Sequence, residues 1–126
     1  MTEGVSFSDR ELDVMSVLWE KGSGTVREVK NEIEDDLAYT TILTVCQTLE
    51  DKGHVRHEEE GRAYRYYPLV EQEAAGQTAL RKVVEKIFLG SSEMVLAQLV
   101  SERDLSDEEL ERMQELLSER LRDRES

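Results

Sequence analysis

Three short boxes, Ser8-Asp9-Arg10-Glu11, Thr25-Val26-Arg27-Glu28 and Ser106-Asp107-Glu108-Glu109, constrain the fold of this chain more than any other feature. In each, a hydroxyl and a carboxylate three residues apart can satisfy backbone N–H groups at a helix start reciprocally, so three helices begin near these positions. The first two boxes open apolar stripes. Leu12, Met15, Leu18 and Trp19 line one face until Lys21-Gly22-Ser23-Gly24 interrupts, and Val26, Val29 and Ile33 follow at i, i+3 and i+7.

Between the second box and the next glycine lies "AYTTILTVCQTL", Ala38 to Leu49, without a charge in a chain whose residues are 36% Asp, Glu, Lys or Arg. Its Thr, Ile and Val content suits a strand by propensity. Its phase suits a helix, because Val45, Cys46 and Leu49 fall within about 60° of Ile42 at 100° per residue, and Gly53 supplies a C-terminal stop. The spacing predicts a helix from Tyr39 to Lys52. Its outer face carries Thr40, Thr44 and Gln47, flanked by Leu43 and Thr48.

After Gly53 the period changes. "HVRHE" and "RAYRYYPL" read as two short strands joined at Glu59-Glu60-Gly61, with an aromatic and basic second strand ended by Pro68. The helical pattern returns from Ala74 with Leu80, Val83, Val84, Ile87 and Phe88 up to Gly90. A shorter apolar helix follows around Met94 to Val100. The last helix, after Leu105, carries Leu110, Met113, Leu116, Leu117 and Leu121. These three helices are too small to bury such stripes alone, so pairing with a second copy is expected. The predicted organisation is mainly α with a small β-hairpin: residues 1–70 form a winged helix-turn-helix domain and residues 71–126 a helical dimerisation region.

Three helices and then a hairpin make the order of a winged helix-turn-helix, in which the third helix enters the DNA major groove and the hairpin lies on adjacent backbone. Thr hydroxyls and the Gln47 amide can bond base edges, and Thr methyls can meet a thymine methyl. The predicted base-reading set is Thr40, Thr41, Thr44, Gln47 and Thr48. The predicted backbone set is Tyr39, Lys52, Arg56, Arg62 and Arg65, helped by the positive end of the third helix.

The formal charge of −13 opposes this reading, since phosphate binding draws on clustered cations. The excess is spread along the chain: residues 1–70 hold 8 basic and 15 acidic side chains, residues 71–126 hold 8 and 14. A winged-helix module that binds a protein through its uncharged face is the alternative reading. No run approaches the roughly 18 apolar residues of a membrane span, and Met1 to Ser8 lacks the regions of a signal peptide, so a cytoplasmic chain is expected. The lone cysteine, Cys46, lies on the inner stripe and reads as a packed thiol. His54 and His57 fall on opposite faces of a strand, which argues against a metal site. There is no nucleophile elbow or phosphate-cradling glycine loop, so neither an enzyme nor a cofactor is expected.

"LAYTTILTVCQTLEDKGHVRHEEEGRAYRYYPLV" resembles the DNA-binding core of the BlaI/MecI penicillinase-repressor family, with TT-x-x-T, KG and GRAYRYYP in order, and "ELDVMSVLWEKGSGTVREV" looks like its first two helices. "LAQLVSERDLSDEELERMQELL" is similar to the family's dimerisation region. The resemblance implies a homodimeric transcriptional repressor on double-stranded operator DNA with dyad symmetry, relieved in several members by a regulatory protease. It implies dimer contacts at Leu80, Val84, Ile87, Leu96, Leu99, Leu110, Met113, Leu117 and Leu121. Cleavage would fall at Gln98-Leu99, where members known for this switch have Asn-Phe. Leu99 also belongs to the apolar stripe with Val95 and Val100, and is expected to be a buried packing residue. Around the reading helix, where members often carry Lys or Arg, this chain has Thr40, Leu43, Thr48, Glu50 and Asp51. Copper-responsive relatives have paired cysteines near the C-terminus, and this chain has none there.

Overall fold

In the computed structural model, which describes residues 6–125, all three boxes close. The first five residues of the Met1–Ser8 stretch lie outside the described part. Ser8 N–H donates to Glu11 Oε1 at 2.8 Å and Glu11 N–H to Ser8 Oγ at 3.2 Å. Thr25 and Glu28 exchange the same bonds at 3.3 and 3.2 Å, and Ser106 and Glu109 at 3.2 and 3.1 Å. The elements run α1 (Asp9–Lys21), β1 (Gly24–Thr25), α2 (Val26–Glu32), α3 (Tyr39–Asp51), β2 (Val55–Glu60), β3 (Ala63–Pro68), α4 (Gln72–Lys86), α5 (Ser92–Glu102) and α6 (Asp107–Glu125).

Most of the stripes seen in the sequence become one core, but in α1 Leu12 is exposed and Trp19 only partly buried, and Val14 and Val17 are buried instead. Val14, Met15 and Leu18 of α1, Val29 of α2, and Ile42, Cys46 and Leu49 of α3 are completely buried, and Val55 and Tyr66 of the hairpin nearly so. Each aliphatic side chain taken out of water there contributes about 1.5–3 kcal/mol. Cys46 is an ordinary core residue. Burial pushes its thiol up to about 12, and a protonated, inaccessible thiol is chemically inert.

The sheet has three antiparallel strands in the order β1-β3-β2. β1 joins Gly24 to Tyr66 and Thr25 to Arg65, fastening the start of α2 to the hairpin. In the hairpin, Val55 faces Pro68 and Glu60 faces Ala63. The turn is therefore Gly61-Arg62 and not Glu59-Glu60-Gly61. Only Gly61 needs a positive φ, 63°, as the first central residue of a two-residue II′ turn does. Arg62 consequently sits at the exposed tip.

The chain divides into two compact units, Met1–Lys82 and Val83–Ser126. The division falls inside α4, where the sequence placed it after residue 70. The first turns of α4, with Ala75 buried, belong with the winged helix. Within the second unit no residue of α5 or α6 is buried.

Candidate nucleic-acid interface

Helix α3 is held by its inner face and by its end. Gly53, at φ 82°, completes a Schellman stop: His54 N–H donates to Leu49 O and Gly53 N–H to Glu50 O, both at 2.9 Å. With that face committed to the core, Thr40, Thr41, Thr44, Gln47 and Thr48 are all exposed. They form the uncharged outer surface that the sequence predicted. The Thr44 hydroxyl donates to Thr40 O at 2.9 Å, so what Thr44 offers outward is its methyl group and an acceptor oxygen. At the start of α3, Ala38 gives no side-chain cap and the first turn holds no acidic residue. Thr41 N–H turns back to Ala38 O at 3.0 Å, and the N–H groups before it remain available to an anion.

The cations around α3 divide sharply. Lys52 donates to the buried Glu11 at 2.8 Å. Burial pushes the Glu11 carboxyl up, but the Lys52 bond and the Ser8 N–H outweigh it and hold it below the usual carboxylate range. Arg56 pairs with Glu58 and lies over the Tyr67 ring, 4.3 Å from its centroid. Arg65 is committed most heavily. Its Nη1 and Nη2 grip Glu28 at 3.0 and 2.9 Å, its Nε and Nη2 grip Glu60 at 2.8 and 2.9 Å, and Nη1 also reaches Ser23 at 3.2 Å. Glu60 and Glu28 raise the Arg65 pKa, and both carboxyls are lowered in return. Of the five predicted backbone residues, only Tyr39 and Arg62 stay exposed without an ion pair or side-chain hydrogen bond among the described residues.

A residue the sequence reading passed over joins them. Arg27 lines the same cleft as Tyr39 and Arg62, a space of about 360 Å³ walled also by Thr25, Glu60 and Ala63. It too makes no ion pair among the described residues. Its signal was present: with Val26, Val29 and Ile33 turned inward, helical phase sends Arg27 outward.

On the other side of the hairpin, His57 Nδ1 lies 2.7 Å from both oxygens of Glu50, and its ring stacks on Tyr64 at 4.2 Å. Tyr64 and Tyr66 share a strand face, but only Tyr66 reaches the core. Tyr64, nearer the tip, is 42% exposed. His54 instead packs edge-on against Phe7 at 5.1 Å, and Phe7 meets Trp19, whose Nε1–H donates to Val70 O at 2.7 Å. Among the described residues, no group of three or more His, Cys, Asp or Glu side chains could hold a metal ion, and no helix is long and apolar enough to cross a membrane.

The sequence matches the family model for the penicillinase repressor over residues 7–119, nearly the whole chain. The chain belongs to the penicillinase repressor family. It is 25% identical over 115 residues to the methicillin resistance regulatory protein MecI of Staphylococcus aureus strain N315, covering 90% of this chain and 94% of that protein. It is 27% identical over 114 residues to the penicillinase repressor of Bacillus licheniformis, covering 89% of each. Among solved structures it is similar to the DNA-binding domain of the repressor BlaI in solution, with a TM-score of 0.51 and 33% identity over 59% of this chain and 93% of that one. The likeness spans a winged helix, and the family is one of repressors and not of enzymes.

In the second unit of this penicillinase repressor family member, Leu96, Val100, Leu110, Met113 and Leu117 line an open, mainly apolar groove of about 450 Å³, with Asp107, Glu111 and Gln114 also in its wall. Leu80, Ile87, Leu99, Leu110, Leu117 and Leu121 are exposed, and Val84, Leu96 and Met113 partly so. Leu99 departs from expectation. At 44% exposure it is not buried within the chain, because no other element of the second unit covers that side of α5. Gln98, bonded to Glu102 at 3.2 Å, is exposed beside it in regular helix.

Proposed function

We propose that the chain is a sequence-specific transcriptional repressor that binds operator DNA as a homodimer, each subunit laying α3 in the major groove and its hairpin along the flanking backbone. The observation that carries this reading is the exposed, uncharged face of α3, Thr40, Thr41, Thr44, Gln47 and Thr48, on a winged helix similar to a solved repressor DNA-binding domain. Such side chains discriminate bases by hydrogen bonds and methyl contacts. Tyr39 and Arg62 serve the backbone, while Lys52, Arg56 and Arg65, spent on carboxylates, fix the geometry around them. Two subunits reading equal half-sites require a dyad-symmetric operator.

The second unit supports the dimer. An apolar groove and exposed leucines on α5 and α6 match the self-complementary surface of a two-fold interface. Relief by a regulatory protease is part of the same proposal. Cutting Gln98-Leu99 breaks α5 and detaches α6 with Leu110, Met113 and Leu117. Because that bond lies within a helix, cleavage requires local opening.

Fluorescence anisotropy on a dyad-symmetric duplex from the protein's own promoter region, with scrambled competitor, tests the DNA reading. Selective binding is expected. Absence of binding at low salt returns the uncharged face to the alternative, a surface for a protein partner. Mass spectrometry of the protein from induced cells tests the switch, and an intact chain on derepressed DNA overturns it.

A further inference from the structure

The cleft shared by Arg27, Tyr39 and Arg62 lies at the start of α3, apart from the side chains assigned to base recognition, and its charges are arranged unusually. The first 70 residues carry nearly twice as many acids as bases, and five of their eight cations are spent on carboxylates. The two arginines left unpaired at the cleft come from different elements: Arg27 from the first turn of α2 and Arg62 from the hairpin tip. Both are exposed, and Tyr39 adds a hydroxyl donor to the same wall.

One acid, Glu60, also lines the cleft, and it would cancel one of these charges. It is occupied: both of its oxygens accept from Arg65, whose remaining N–H groups take both oxygens of Glu28. We infer that Arg27 and Arg62 form a two-armed clamp for a single DNA backbone phosphate, and that Arg65 is a positioning residue which keeps the clamp cationic by pairing with Glu60 in the cleft wall and with Glu28. The clamp rests on the DNA-binding reading and extends it to a site on α2. It explains how a chain of net charge −13 can meet a polyanion, since charge is sorted locally and not in the sum.

A phosphate contact is sequence-independent and adds about −0.9 to the slope of log K against log salt. The full-length protein is therefore titrated with a short random-sequence duplex across a salt series. Arg27→Ala and Arg62→Ala are each expected to make the slope shallower by about 0.9 per subunit, about 1.8 for the dimer, and to weaken binding roughly tenfold at 0.1 M salt. Arg27→Lys should retain the slope. Arg10→Ala, which removes a cation held by Asp13 and Asp35 outside the cleft, should leave it unchanged.

Arg65→Gln is expected to weaken binding without touching DNA, and Arg65→Gln with Glu60→Gln to recover it, which loss of a merely structural bond would not do. An unchanged slope in both Arg27→Ala and Arg62→Ala overturns the clamp while leaving DNA binding intact. Failure of Glu60→Gln to rescue overturns the role of Arg65. A wild-type chain that binds neither random nor operator DNA overturns both the clamp and the reading it rests on.

Discussion

Lys52, the residue that ends α3, donates at 2.8 Å to Glu11, the buried carboxylate that closes the capping box of α1. One charge pair thus ties the C-terminal end of α3 to the N-terminal end of α1, across 41 residues of sequence.

That pair sets a pH dependence. The Glu11 carboxyl is lowered in the folded chain, so its contribution to stability is present above the unfolded value and is lost as pH falls through the folded one. Lys52→Met should cost about 1–2 kcal/mol at neutral pH, reduced from a fully buried pair because Lys52 is half exposed. The difference from wild type should shrink below about pH 4. Urea unfolding at pH 7 and pH 3 checks this, and an undiminished gap at pH 3 would count against the pair.

On the outer face of α3, Thr40→Ala, Thr41→Ala, Gln47→Ala and Thr48→Ala should each erode discrimination between operator and random duplex by about 1–3 kcal/mol where a base contact is lost. Thr44 should behave differently, since its hydroxyl proton already goes to Thr40 O. Thr44→Val, which keeps the methyl, should discriminate better than Thr44→Ser. Competition anisotropy with the two duplexes measures it, and the reverse order would assign Thr44 a hydroxyl contact.

The salt dependence of operator binding should be shallow. In residues 1–70 only Arg27, Lys30 and Arg62 lack an ion pair among the described residues, so a dimer in which Arg27 and Arg62 share one phosphate and Lys30 meets another has a slope of roughly −4. A slope near −10 would mean that the paired cations, Arg56 first, exchange their carboxylates for phosphates.

Dimerisation should depend on the apolar side chains of α6. Leu117 and Leu121 are 52% and 65% exposed in the single chain. Replacing both with Asp should yield monomers with weakened operator affinity, because each half-site then binds without the effective concentration supplied by its partner. Sedimentation velocity at micromolar protein reads this directly, and a monomeric wild type would defeat it.

Local signals in the sequence determined most of the secondary structure. A capping box needs four neighbouring residues and an apolar stripe a few turns, so the starts of α1, α2 and α6, the helical state of Ala38 to Leu49 and the hairpin after Gly53 were all legible. The two-residue strand Gly24–Thr25 was not, because two residues carry no period and the strand exists only through its pairing with Tyr66 and Arg65. The exposed face of α3 could be named in advance for the same reason as its core face: one helical phase decides both.

Which cations are free is a tertiary matter. Arg65 looked like an anchor until folding brought Glu28 within reach, 37 positions away. Lys52 looked like another until it met Glu11. Arg27, unremarkable on a short helix, acquired a partner in Arg62 when β1 fastened the start of α2 to the hairpin. Coulomb interactions act over a few ångströms of space without regard to distance along the chain, so the sequence determines how many charges there are, and the fold decides which of them remain to meet DNA.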